Sequence, residues 1–263
     1  FTVLLIWTTL LAAPWSVAGF NHNNWNQLLQ KNVIILNEGR ATAVDYDGML
    51  SQRAQLTSYL NSLSKITEDE FDSWDSSEQL AFLINAYNSW TVELVLTKYP
   101  DLDSIKDLGS LFQSPWKKTF IPLLGEIRSL DEIEHTLIRG SDRYKDPRIH
   151  FAVNCASIGC PALRNEAYTG NKVDKQLNEA EQLFLSDRSR NRFNEDKGVL
   201  EISSIFKWYE EDFSRGWKGI DSLRNYLADH GAELGITDQQ RQELKEKDLK
   251  INYLKYDWDL NKR

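Results

Sequence analysis

The sequence predicts an α+β fold, a helix-rich single domain around a small, mostly antiparallel sheet. Three observations carry that expectation. Helical periodicity recurs along most of the chain, extended segments are few and short, and no repeat or low-complexity stretch divides its 263 residues. A chain of this length buries enough surface to fold without staples.

The elements follow in order. Trp25, Leu28 and Leu29, continued by Val33 and Leu36, give a first helical stripe, and Leu50, Ala54, Thr57, Leu60 and Leu63 give a second. A third helix is expected from Ser76, with Ser76 and Gln79 as a capping-box pair. Its stripe of Leu80, Leu83, Ile84, Tyr87, Leu94 and Val95 is faced by Phe82, Ala86 and Trp90, so it is apolar nearly all round and belongs in the core. Lys98-Tyr99-Pro100 ends it. Phe120 to Arg128 reads as a hairpin about Leu124-Gly125-Glu126, and Ser129-Leu130-Asp131-Glu132 as a capping box opening a short helix. Arg148 to Asn154 reads as a buried strand. An amphipathic helix follows over 171–185, a strand at Val199 to Ile202, a helix from Ser204 through Phe213, and a last strand over 249–253.

Composition narrows the function. The net charge of −8 and pI near 5.2 argue against a nucleic-acid partner, because phosphate neutralisation needs clustered Lys and Arg. Residues 1–18 form an uncharged apolar run broken by Pro14, then Ser16-Val17-Ala18 before Gly19, the pattern of a cleavable signal peptide. The expectation is export to a periplasmic or extracellular space, with a globular domain over 19–263. The apolar core of that run is too short to span a bilayer, and no span is expected in the mature chain.

The chemistry concentrates at Asp146 to Pro161. Cys155 there is the candidate nucleophile, with His150 or His135 as its base and the amides of Ala156 and Ser157 as oxyanion donors. In a straight strand His150 and Cys155 would face opposite ways, so a turn at Asn154 is required. Glu134 lies within the apolar stripe Leu130, Ile133, Leu137 and Ile138. A buried carboxylate must be paired or protonated. Either it pairs with Arg148, or it orients a catalytic histidine, a role open to Asn154 as well. Asn85 and Asn88 sit about 60° apart on the buried helix. They either fasten the loop around Cys155 or face a ligand, as Arg148 and Ser157 could.

These residues fall in a recognisable order: Leu80-Ala81-Phe82-Leu83-Ile84-Asn85-Ala86-Tyr87-Asn88, Ser129 to His135, Asp146-Pro147-Arg148-Ile149-His150-Phe151, Asn154-Cys155-Ala156-Ser157 with Cys160-Pro161, and Phe206-Lys207-Trp208-Tyr209. Together they closely resemble the family called domain of unknown function 547, over about residues 70–230. The resemblance implies one compact domain and an exported bacterial member, since plant members usually carry a leucine-zipper region absent from this sequence. It implies no particular activity.

Two functional classes stay open. One is a cysteine-dependent hydrolase or acyl transferase acting on a peptide or small molecule, which needs a free Cys155 thiol. The other is a non-catalytic envelope domain that binds a peptide or partner, with a Cys155–Cys160 disulfide pinning the loop. Zinc could use His135, His150, Cys155 and Cys160, but their spacing is not a standard one, so neither metal nor cofactor is expected. Trp116, Trp208, Trp217 and Trp258 could stack on sugars, although tryptophans at such positions more often serve the core.

Overall fold

A computed structural model describes residues 19–110 and 112–263. The expected signal peptide at 1–18 lies outside the described residues. Helix α1 (Asn23–Asn32) is followed by β1 (Val33–Leu36) and β2 (Ala41–Val44), then α2 (Tyr46–Ser51), α3 (Arg53–Leu63), α4 (Glu68–Asp72) and the long α5 (Ser76–Leu96). Next come β3 (Ile121–Leu123), β4 (Glu126–Arg128), α6 (Leu130–Glu132) and α7 (Val173–Leu185). The chain closes with β5 (Arg192–Asn194), β6 (Val199–Ile202), α8 (Ile205–Trp208), α9 (Leu223–Asp229), α10 (Gly231–Leu234), α11 (Asp238–Glu246) and β7 (Lys250–Tyr253).

The α+β class holds, with the strands spread over three small sheets. Two are antiparallel hairpins, β1–β2 and β3–β4. The third runs β5-β6-β7, with β5 antiparallel and β7 parallel to β6. A parallel neighbour requires a crossover, and α9 to α11 supply it. Those helices were not anticipated, although Ser222 caps α9 and Thr237 with Gln240 forms a capping box on α11.

Helix α5 is the axis of the larger core cluster. Every residue from Gln79 to Val92 is buried, as its all-round apolar surface predicts. Its cap is Asp75, whose carboxylate accepts the N–H groups of Ser77 and Glu78, so the expected Ser76 box is displaced by one residue. Gln79 is thereby free to bond the Phe71 carbonyl. The helix ends at Leu96, before the Lys98-Tyr99-Pro100 stop. A second cluster, built on Phe151, Phe184, Phe206, Phe213 and Tyr226, fills the C-terminal half.

Several expectations need correction. The first helical stripe ends at Asn32, because Val33-Ile34-Ile35 is β-branched and pairs with β2 across a turn at Asn37, Glu38 and Gly39, all at positive φ. The second helix is two, divided at Gln52. The helix expected from Ser204 through Phe213 is α8 followed by a 3₁₀ turn over Asp212–Ser214. Most consequential, the expected strand from Arg148 to Asn154 is a 3₁₀ helix over Pro147–Phe151. Asp146 accepts the Arg148 N–H and Pro147 presets φ, which starts a helix where apolar content suggested a strand. The opposite-face argument for His150 and Cys155 lapses with the strand.

Candidate functional site

The loop Asn154 to Pro161 is built by side-chain amides. Asn88 on α5 donates to the Ala152 carbonyl at 2.9 Å and accepts the Asn154 N–H at 2.8 Å. Asn154 in turn donates to the Pro161 carbonyl at 2.8 Å and accepts the Ala156 N–H at 2.9 Å. Ala156 is buried with φ of 61°, a left-handed conformation that costs an L-residue roughly 1–2 kcal/mol. The C-terminal segment holds that turn: the Asn261 N–H donates to the Ala156 carbonyl, while Ile158 and Gly159 donate to the carbonyls of Asp259 and Asp257. Only glycine fits at Gly159, where a Cβ would lie 2.8 Å from the Asp257 carbonyl oxygen.

The loop joins Cys155 and Cys160 as a disulfide. The Cys155 N–H points at the Cys160 sulfur, 2.8 Å away. Tyr256 Oη lies 3.1 Å from Cys155 Sγ, and Ser157 Oγ lies 3.2 Å from it. The oxyanion donors expected at Ala156 and Ser157 are half committed, because Asn154 already holds the Ala156 amide.

These cysteines form one wall of a cleft of about 240 Å³. Glu134, His135, His150, Tyr87, Tyr209 and Tyr256 line it, with Trp116, Trp208 and Trp258. A larger cavity of about 550 Å³ lies against α7, but among its lining residues is neither histidine nor cysteine. The chemistry therefore selects the smaller cleft.

Glu134 and His135 enter it from a π-helical turn over Ile133–Ile138, which continues α6. Its wide turn is registered by the Arg139 N–H bonding the Glu134 carbonyl at 2.9 Å. The Glu134 side chain does not pair with Arg148. That guanidinium is spent on Asp146 (2.6 Å), Asp174 (2.8 Å) and Asn178, and it stacks on Trp217. Tyr87 and Tyr209 lie against Glu134. Burial first, and then this carboxylate, holds both phenols above the ordinary tyrosine range.

His150 is buried, with Nε2 at 2.7 Å from Asp212 Oδ2. Asp212 also meets Arg139 at 2.5 Å and Arg215 at 3.0 Å. Burial works to raise its pKa, but the bonds from His150 and Arg139 outweigh it and keep the carboxyl well below the usual range. With Nε2–H directed at Asp212, Nδ1 is left as an acceptor, and it has no partner among the described residues. The ring stacks on Tyr209 at 3.9 Å. Burial lowers the His150 pKa, so the ring is neutral near pH 7. His135 accepts from Arg139 at Nδ1 and places Nε2 3.7 Å from Asp131.

The cleft thus gathers Cys155, His150, Glu134 and His135. Asn154 stands behind it as a loop fastener, and Ser157 lies beneath the sulfurs. Asn85 bonds both the N–H and the carbonyl of Tyr168, away from the cleft. No hydrogen bond links Cys155 to either histidine among the described residues. The orienting acid of His150 is Asp212, which sequence reasoning missed. Its one signal was its place at the end of the acidic run Glu210-Glu211-Asp212, directly before the buried Phe213. The two sulfurs are joined, and among the described residues no three of the zinc-capable side chains are grouped to hold a metal ion.

Fold and site define an α+β domain with an aromatic cleft walled by a cysteine pair. Residues 71–185 match the family described as protein of unknown function, DUF547, and that match supports the resemblance read from the motifs. The match ends short of the 70–230 span of the resemblance, so Tyr209, Asp212, Tyr256 and the cleft tryptophans Trp208 and Trp258 lie beyond it. No curated protein and no solved structure matches the chain.

Proposed function

We propose that this is an exported domain that binds a peptide in the aromatic cleft, with the Cys155–Cys160 disulfide pinning one wall. The observation that carries the reading is the consumption of the loop's reactive groups. Cys155 shares its sulfur with Cys160, the Ala156 amide is held by Asn154, and neither histidine bonds the sulfur. What remains open to a ligand is aromatic surface with a few polar groups, the usual make-up of a binding site. Tyrosine and tryptophan suit peptides because they offer large contact area at small entropic cost.

The test is alkylation of the purified exported protein without reductant across a pH series, read by mass spectrometry. Neither cysteine is expected to label until reductant is added. Rapid labelling of Cys155 well below about pH 8.5 would instead reveal a stabilised thiolate. One observation favours that second reading, a cysteine hydrolase or acyl transferase: the His150–Asp212 pair with its free Nδ1 faces the same cleft as Cys155. Slower labelling in His150→Ala would then identify the base.

A further inference from the structure

The residues lining the cleft leave one carboxylate without an ion-pair partner among the described residues. Glu134 is 5% exposed, and no Lys, Arg or His among the described residues lies within ion-pair distance of its carboxylate. Arg139, the nearest guanidinium in sequence, is bound to Asp212. His150 offers no proton, since burial keeps it neutral. A buried carboxylate held by the phenols of Tyr87 and Tyr209, with the Arg139 charge beyond ion-pair distance, gains from a cation brought to it.

A second observation is independent of Glu134. The aromatic rim already carries an ammonium group: Lys106 Nζ sits 3.7 Å above the Trp258 ring. Trp258 stacks on Trp208 and meets Trp116 edge-on, so the three indoles form one continuous surface at the mouth. Trp208 is 47% exposed, an uncommon cost for a tryptophan with no ligand to cover. Aromatic faces attract cations by their quadrupole. The chain's net charge of −8 would steer a cation toward the site.

We infer that the cleft recognises an alkylammonium group, such as a lysine side chain of the bound peptide, with Glu134 as its counter-charge and the indoles flanking its stem. This inference rests on the peptide-binding reading and specifies its ligand. Asp131 at the same lining adds a second carboxylate beside His135.

The experiment uses the full chain with its disulfide intact and follows tryptophan fluorescence. The probes are capped pentapeptides of glycine with lysine, Nε-acetyl-lysine or norleucine at the centre, and n-butylammonium against n-butanol. The lysine peptide and n-butylammonium are expected to bind saturably, about ten-fold more tightly than their neutral counterparts. Glu134→Gln is expected to erase that preference while keeping the wild-type unfolding midpoint, and Glu134→Asp to retain part of it. Equal binding of charged and neutral probes, or an undiminished preference in Glu134→Gln, would overturn the cation assignment and leave the peptide cleft standing. Absence of binding by every probe would overturn both.

Discussion

At the scale of single residues, burial of ionisable and amide groups dominates this protein. His22 is buried against Phe20 and Phe82, bonds Tyr59 at 2.7 Å through Nδ1, and leaves Nε2 without a partner among the described residues. Burial pushes its pKa down to about 3. The folded value lies below the unfolded one, so the unfolded chain takes the proton first. Stability is therefore full above about pH 6.5 and is lost as pH falls from there toward 3, at up to about 1.4 kcal/mol per pH unit. His150 acts in the same direction, also from about 6.5 downward. Asp212 adds its own loss only below about pH 4, because its carboxyl is held below the usual range. Urea unfolding between pH 7 and 5 should show this fall, and His22→Phe should remove part of the slope. An unchanged slope would mean that His22 does not set it.

At the scale of elements, the decisive feature is the junction of α6 with the π-helical turn. Ser129 accepts the Glu132 N–H at 3.1 Å, and the Glu132 carboxylate accepts the Ser129 N–H at 2.7 Å. This box fixes where the helix starts, and the wide turn then carries Glu134 and His135 into the cleft. Ser129→Ala is expected to cost about 1 kcal/mol in chemical denaturation. It should also weaken binding of the lysine peptide, since Glu134 hangs from the same short helix. Loss of stability without any change in binding would show that the turn is positioned by packing alone. Capping signals of this kind were readable from the sequence at Ser129. At Ser76 the reading missed by one residue, because Asp75 competes better for the same N–H groups.

At the scale of the whole molecule, the cleft is assembled by chain-distant pieces. The C-terminal segment delivers Tyr256 and Trp258 and props Ala156. The disulfide closes a short loop, with a separation of five residues. Its chain-entropy contribution is about 2 kcal/mol. The Cys155→Ser, Cys160→Ser double variant should therefore unfold at lower urea by that amount relative to the oxidised protein. If it matched the oxidised protein, the loop would owe its shape to the amide clasps of Asn88 and Asn154 alone.

What the sequence determined by itself was local or compositional. The helices α1, α3, α5 and α7, the Leu124-Gly125 hairpin, the capping box at Ser129 and the density of reactive groups from Asp146 to Pro161 follow from spacing and residue type. So does the resemblance to the family, from motifs in order. Tertiary structure decided which acid meets His150, since Asp212 is 62 residues away and nothing local pairs them. It decided that Arg148 answers Asp146 and Asp174 and leaves Glu134 to the cleft. It also turned the expected strand at Arg148 into a 3₁₀ helix, because an Asp-Pro start outweighed an apolar run that has no strand partner. Charge partners and sheet neighbours are chosen by which surfaces are buried together, and that choice is made only when the distant segments pack.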